Sequence, residues 1–199
     1  MKIPRKSTFH SLDIFSILFL CFDSTRAKIL QQQGNPLYPT ILSDIGEEQR
    51  MIRIVKVTNA KKRFLPLLLL GDEQESMIDL YLEAGEMFAL YDDGKLRTIA
   101  VVSKEPKRVF ELKNIATEPT HQRQGYGRKM IDYLLAYYHG KGRLLQAGTG
   151  AGSSNTIFYE KCGFQAGNTV KDFFTENYDH PIMEDGRQIT DMVYYQREL

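Results

Sequence analysis

Two strand-patterned runs, Met87–Tyr91 and Leu96–Ser103, are separated only by a turn that opens Asp92-Asp93-Gly94. Aspartate followed by glycine is the chemistry of a tight hairpin, because glycine accepts positive φ freely and aspartate tolerates it. The two runs must therefore lie side by side and antiparallel. A third run, Arg108–Thr117, follows at once and extends the meander. From there the period changes. Gly127–His139 carries Met130, Ile131, Leu134, Leu135 and Tyr138 at helical spacing, Leu144–Thr149 reads as a strand, and Asn155–Lys161 as a short helix. A strand over Phe164–Phe174, punctuation at Asp185-Gly186 and a closing strand over Ile189–Gln196 complete the chain. Upstream, Ile52–Val57 alternates as a strand, Leu65–Gly71 makes one or two helical turns, and Glu75–Ala84 is a helix stopped by Gly85. The order β-α-α-β-β-β-α-β-α-β-β specifies one α/β domain with a mixed sheet: an antiparallel meander, then a β-α-β unit.

The first fifty residues read differently. A basic start, Lys2 to Lys6, precedes an apolar run from Leu12 to Phe22, the outline of a secretory signal. Asp13 interrupts that run, no Ala-x-Ala-like site follows, and the run falls short of the ~20 residues that span a bilayer. Met51 opens the first clear strand pattern, so residues 1–50 are expected to be an N-terminal extension, non-native or loosely attached, ahead of a domain over 51–199. A docked helix around Leu12–Phe22 is the alternative. The formal charge is +1, which favours neither a nucleic-acid nor an anionic-membrane partner. Two cysteines, Cys21 and Cys162, cannot build a disulfide framework, in keeping with a cytoplasmic protein, and no metal-ligand spacing is present.

The chemistry concentrates at the turn Gln122-Arg123-Gln124-Gly125-Tyr126-Gly127-Arg128, between the third meander strand and the long helix. Glycine at a strand-to-helix turn lets backbone approach a ligand without an intervening Cβ. The N–H groups of the first helical turn point at that ligand, and the helix dipole favours an anion there. Arg123, Arg128 and Lys129 add positive charge. The residues suggest a phosphate or pyrophosphate cradle; the bland alternative is a helix start that needs a tight turn.

Gln-x-x-Gly-x-Gly in this setting resembles the acetyl-CoA signature of the GNAT superfamily of N-acetyltransferases. Phe158-Tyr159-Glu160-Lys161-Cys162-Gly163-Phe164 resembles that family's Tyr-x-x-x-Gly-Phe stretch, and the element order over 51–199 matches as well. The tail around Asp172–Tyr178 and Asp191-Met192 resembles a bacterial subgroup of poorly defined substrate. The resemblance implies a seven-stranded, mostly antiparallel sheet flanked by helices and splayed between strands four and five. It implies acetyl-CoA as co-substrate, its pyrophosphate on the backbone of Gln122, Arg123, Gln124, Gly125, Tyr126, Gly127 and Arg128. The pantetheine arm would pair with the main chain of Ile115, Ala116 and Thr117. Tyr159 would protonate the leaving thiolate, and Glu111, on the fourth strand, would take the proton from the acceptor ammonium in a direct attack without an acyl-enzyme. Asn155 is a further contact to the cofactor, although many members carry their Asn seven residues before the Tyr, where this chain has Gly152. Cys162 reads as small packing and His121 as a loop residue beside the cradle.

The acceptor would be a small-molecule or peptide amine entering opposite CoA, between residues 60–85 and the last hairpin. Phe173, Phe174 and Tyr178 stand there beside Glu176, Asp179, Glu184 and Asp185, a mixture that could hold a cationic amine. Homodimerisation is common in the family. Two other classes of function compete with this one. Gly148-x-Gly150-x-Gly152 superficially suggests a dinucleotide turn, but position 153 is serine and too little chain follows for a second nucleotide-binding half. A non-catalytic acyl-CoA sensor would keep the cradle and lose Tyr159 or the acidic base, and both residues are present.

Overall fold

The computed structural model describes residues 51–184 and 186–199; the expected extension over 1–50 and its apolar run lie outside the described residues. The chain forms β1 (Ile52–Val57), α1 (Leu65–Leu68), α2 (Glu75–Leu82), β2 (Glu86–Asp92), β3 (Lys95–Glu105) and β4 (Val109–Thr117). It continues with α3 (Tyr126–Tyr138), β5 (Leu144–Gly150), α4 (Asn155–Lys161), β6 (Gln165–Val170), α5 (Phe173–Asn177), β7 (Ile182–Glu184), β8 (Arg187–Ile189) and β9 (Met192–Glu198). Seven strands make one sheet in the order β1-β2-β3-β4-β5-β9-β6, while β7 and β8 form a separate small hairpin. All pairings in the large sheet are antiparallel except β4 with β5. The β2–β3 turn places Asp93 and Gly94 at φ 48° and 74°, the two successive positive values a tight hairpin with right-handed twist requires.

Alternation along the meander divides the core into two layers. Met87, Ala89, Ile99 and Val101 face one side, where Leu68, Ile78 and Leu82 of α1 and α2 cover them. Phe88, Leu90, Ala100 and Val102 face the other, beneath Met130, Ile131, Leu134 and Tyr138 of α3. Gly148 and Gly150 belong to β5, where Cβ atoms would lie 2.5 Å from the Met192 sulfur and 2.6 Å from Ile189. These glycines admit the last strands to close approach, and no dinucleotide turn forms.

Two elements differ from expectation. The run expected as one strand to Phe174 stops at Val170, and Phe173–Asn177 is helical. Asp172 adopts φ 54° there, and its N–H donates to Asp191 Oδ1 at 2.9 Å, a contact formed only when the last strand has docked. The expected closing strand over Ile189–Gln196 is likewise divided, with Ile189 ending β8 and β9 starting at Met192.

The α1–α2 layer is tied down by a buried lysine. Lys61 is 8 % exposed, and its Nζ donates to the carbonyls of Leu82, Glu83 and Gly85 at 2.9, 2.7 and 2.7 Å. One ammonium thus satisfies the last turn of α2, where carbonyls lack helical partners and the dipole favours a cation. Lys61→Met keeps the stem and orphans three acceptors, so it is expected to cost about 2–4 kcal/mol in urea unfolding, from charged hydrogen bonds worth ~1.5–3 kcal/mol each, partly offset by water. A loss under ~0.5 kcal/mol, the level of an ordinary surface substitution, would contradict this role.

Candidate active site

The sheet opens at β4. Val109–Leu112 pair in parallel with Leu144–Ala147, and there the pairing ends. On the other side the β3–β4 register slips: Val101 pairs with Asn114 and Val102 with Leu112, so Lys113 bulges. A bulge bends its strand and sharpens the local twist. Beyond it, residues 113–117 diverge from β5 and leave one backbone edge of β4 without a strand. A continuous cleft of about 1460 Å³ occupies the opening, with Ile115, Ala116 and Thr117 along one wall.

The glycine turn forms the mouth on one side. Gly125 is the N-cap of α3 at φ 86°, a conformation in which a Cβ would be strained. The first helical bond runs from Lys129 N to Gly125 O, so the Gly127 and Arg128 amides precede the helix's own ladder. Gln122, Arg123, Gly125, Tyr126, Gly127 and Arg128 all line the cleft. Gln124 turns aside, its side chain donating to Thr120 O at 3.2 Å. The Tyr126 ring is buried, with its hydroxyl donating to Asp92, which fastens the start of α3 to the β2–β3 hairpin. The Arg128 guanidinium donates to Lys161 O at 2.7 Å and so joins α3 to the end of α4. Asn155 is exposed at the start of α4 and also borders the cleft. His121 lies against Glu118 in the preceding turn.

Tyr159 and Glu111 both line the cleft, each 7 % exposed. Tyr159 stacks on Tyr195 with ring centroids 5.9 Å apart, and burial pushes its phenol far up. Burial also raises the Cys162 thiol. The Glu111 carboxylate accepts Lys113 Nζ at 2.6 Å and Gln146 Nε2 at 2.9 Å. Tyr194, from β9, also stands over it; burial first, and then the Glu111 charge, push that phenol up to about 12.

Of the residues expected near the acceptor, Phe173, Phe174, Tyr178 and Glu184 line the cleft. Glu176 is exposed, and Asp179 is paired with His180 at 2.6 Å. Sequence reasoning missed Lys113 and Tyr194, and also a network of Asp72, Tyr81 and Asn114. Asn114 is 3 % exposed; its Nδ2 donates to Leu68 O at 2.9 Å and to the Tyr81 hydroxyl at 3.1 Å. Tyr81 and Tyr178 in turn donate to the two oxygens of Asp72 at 3.2 and 3.1 Å. No periodicity or motif links residues 106 positions apart, as Asp72 and Tyr178 are. The cleft is lined by charges of both signs: Arg123, Arg128 and Lys161 from the glycine turn, α3 and α4, Lys104, Glu105, Glu111 and Lys113 from β3 and β4, and Asp72, Glu73 and Glu184 from the loop after α1 and from β7. Among the described residues, no group of His, Cys, Asp and Glu is placed to hold a metal, and no helix is long and apolar enough to cross a membrane.

Residues 83–166 match the family model described as an acetyltransferase (GNAT) domain. Over 129 residues, 64% of this chain and 83% of the relative, the sequence is 33% identical to the uncharacterised N-acetyltransferase YvbK of Bacillus subtilis. A GNAT family acetyltransferase from Elizabethkingia anophelis, solved with acetyl-CoA bound, superposes with a TM-score of 0.70 at 32% identity, covering 74% of this chain and 98% of that one. A Bacillus subtilis acetyltransferase in complex with CoA gives 0.68 at 30% identity, covering 75% and 99%.

Asp72 carries a stability consequence. Burial, the leading cause, raises its pKa above the ordinary aspartate value. The native state therefore binds the proton more readily than the unfolded chain, and the ionised carboxylate costs stability at every pH above the raised value. Asp72→Asn is expected to melt at a higher temperature than the parent at pH 7, with the gap closing as pH falls to about 3, below the ordinary aspartate value, where the carboxyl is largely protonated in both states. Scanning calorimetry at the two pH values decides it, and a gap that widens in acid contradicts the assignment.

Proposed function

The chain belongs to the GNAT family of acetyltransferases, and from that premise we propose that it transfers the acetyl group of acetyl-CoA to a primary amine by direct attack. The observation that carries the proposal is the opened β4 edge lying in one cleft with the glycine turn, Tyr159 and Glu111. The residues present suit the co-substrate. The Gly127 and Arg128 amides and the α3 dipole favour a pyrophosphate, with the side chains of Arg123 and Arg128 beside it. Gln122, Gln124, Gly125 and Tyr126 would contribute main chain to the same cradle. Ile115, Ala116 and Thr117 offer the N–H and C=O groups that an extended amide-bearing arm can pair with, as a strand pairs with a sheet edge. Asn155 would add a polar contact at the start of α4.

Bound there, acetyl-CoA supplies a thioester whose carbonyl carbon is attacked by the neutral amine as the C–S bond breaks and CoA departs as the thiol. Glu111 takes the proton from the acceptor ammonium, directly or through a water, while Lys113 and Gln146 hold its carboxylate in orientation. Tyr159 presents its O–H to the departing sulfur. Because burial raises the phenol, it is a hydrogen-bond donor throughout the physiological range. The buried Cys162, its thiol also raised, is a poor nucleophile, which supports transfer without an acyl-enzyme.

In a thiol-release assay with acetyl-CoA and a panel of primary amines, Tyr159→Phe is expected to lower kcat by roughly 10²–10³-fold and Glu111→Gln by roughly 10–10²-fold, the scale of single acid–base groups. The KM for acetyl-CoA should change little in either variant. Tight CoA binding without turnover on any amine would replace the enzyme with a sensor. Full activity in Tyr159→Phe would remove that residue from the chemistry. Gly125→Ala tests the cradle separately: forcing an L-residue to φ 86° costs about 1–2 kcal/mol, and CoA affinity should fall with it.

A further inference from the structure

Besides Glu111, the carboxylates of Asp72, Glu73, Glu105 and Glu184 line the cleft, and of these Asp72 is the one held by a set of neutral donors. Asp72 follows α1, half-buried, and accepts three neutral donors: the Tyr178 hydroxyl at 3.1 Å, the Tyr81 hydroxyl at 3.2 Å and the Gln74 backbone N–H at 3.3 Å. Among the described residues, no Lys, Arg or His pairs with it. Withdrawing an anion from water without a counter-charge is costly, and proteins that do so normally supply a cation or a full set of donors. A carboxylate offers about four acceptor positions, and three are taken. The remaining one has no hydrogen-bond or ion-pair partner among the described residues.

The surroundings restrict what a donor there would be attached to. Tyr81, Tyr178, Phe173 and Phe174 all line the cleft; Phe173 meets Phe174 and Tyr178 edge to face, and Phe174 and Tyr178 are tilted against each other, with centroids 5.2–6.4 Å apart. Leu70 and Leu80 lie at its rim, 53 % and 75 % exposed, with apolar surface that nothing in the described chain covers. A strongly hydrated amine would bury its hydroxyls against these side chains without partners. The network is also connected to the reaction centre. Tyr81 receives Asn114 Nδ2, and Asn114 is the β4 residue immediately after the bulge, so two hydrogen bonds link Asp72 to the opened strand.

We infer that Asp72 is the counter-ion for the acceptor's ammonium, and that the acceptor is a primary amine carried on an apolar body of about aromatic-ring size. This rests on the acetyl-transfer reading. Asp72 acts as a positioning and specificity residue: it holds the amine while Glu111 removes the proton, and the rim takes up the apolar body.

Calorimetric titration of the full chain, with and without saturating CoA, tests the assignment using 2-phenylethylamine, its neutral analogue 2-phenylethanol, and ethanolamine. The amine is expected to bind at least tenfold more tightly than either comparison compound. Asp72→Asn should lose about tenfold in affinity for 2-phenylethylamine, the worth of one charged hydrogen bond, with no change for 2-phenylethanol. An amidated peptide beginning with phenylalanine forms a further arm; binding tighter than that of 2-phenylethylamine would place the same apolar ammonium at a polypeptide terminus. Equal binding of amine and alcohol in the parent overturns the counter-ion role, and needs no variant to be folded. Equal binding of ethanolamine and 2-phenylethylamine overturns the apolar body. CoA affinity, measured in the same titrations, separates the two levels. A parent that binds no CoA refutes the acetyl-transfer reading, whereas CoA binding without amine selectivity refutes only the inference drawn here.

Discussion

A parallel ladder of four residue pairs, ended by one bulged lysine, governs the architecture of this molecule. β4 and β5 are joined from Val109 to Leu112 and separate where Lys113 adds a residue to β4. Backbone groups withdrawn from one strand need another partner, and an opened edge inside a cleft is a template for an extended ligand. The same divergence brings Tyr159, from α4 beyond β5, and Glu111, from β4, to one cavity although they stand 48 positions apart in the chain. Had the ladder continued to Thr117, the space between the two strands would be filled by their own hydrogen bonds.

The rest of the structure holds that opening in shape. Arg128 and Tyr126 fix the start of α3 to α4 and to the β2–β3 hairpin, so the amides of the glycine turn are aimed by rigid elements. On the facing wall Lys61 gathers three carbonyls at the end of α2, and Asn114 binds the Leu68 carbonyl of α1. Each is a buried polar group fully used on one side of its chemistry, an arrangement that specifies position more than it adds net stability. Of the charges lining the cleft, Arg123, Arg128 and Lys161 come from the glycine turn, α3 and α4, and Asp72 and Glu73 from the α1–α2 loop.

Much of this was legible in one dimension. The hairpin at Asp92-Asp93-Gly94, the helix that starts beside Gly125 and the short helix Asn155–Lys161 follow from turn chemistry and period, which are local properties. The strand expected through Phe174 failed for a non-local reason. Aromatic residues favour strands, but Asp172 is held at positive φ with its N–H bound by Asp191, and the chain turns into α5. The hairpin β7–β8 was missed because three-residue strands carry too little periodicity to register. No local pattern distinguishes Lys61 from its neighbours Lys62 and Arg63; its burial depends on where α2 ends relative to it.

Resemblance to a family singled out Tyr159 and Glu111, whereas by itself the sequence determined the alternation of strands and helices and the glycine turn at the head of α3. These are consequences of residue chemistry within a few positions along the chain. Tertiary structure alone decided that β4 would bulge at Lys113, that Glu111 would sit between Lys113, Gln146 and Tyr194, and that Asp72 would be capped by two tyrosines from distant elements. Those outcomes depend on strand register and on Tyr178 and Asp179, beyond α5, meeting Asp72 and Gln74 ahead of α2. They are set by the packing of whole layers, for which no short stretch of sequence carries a signal.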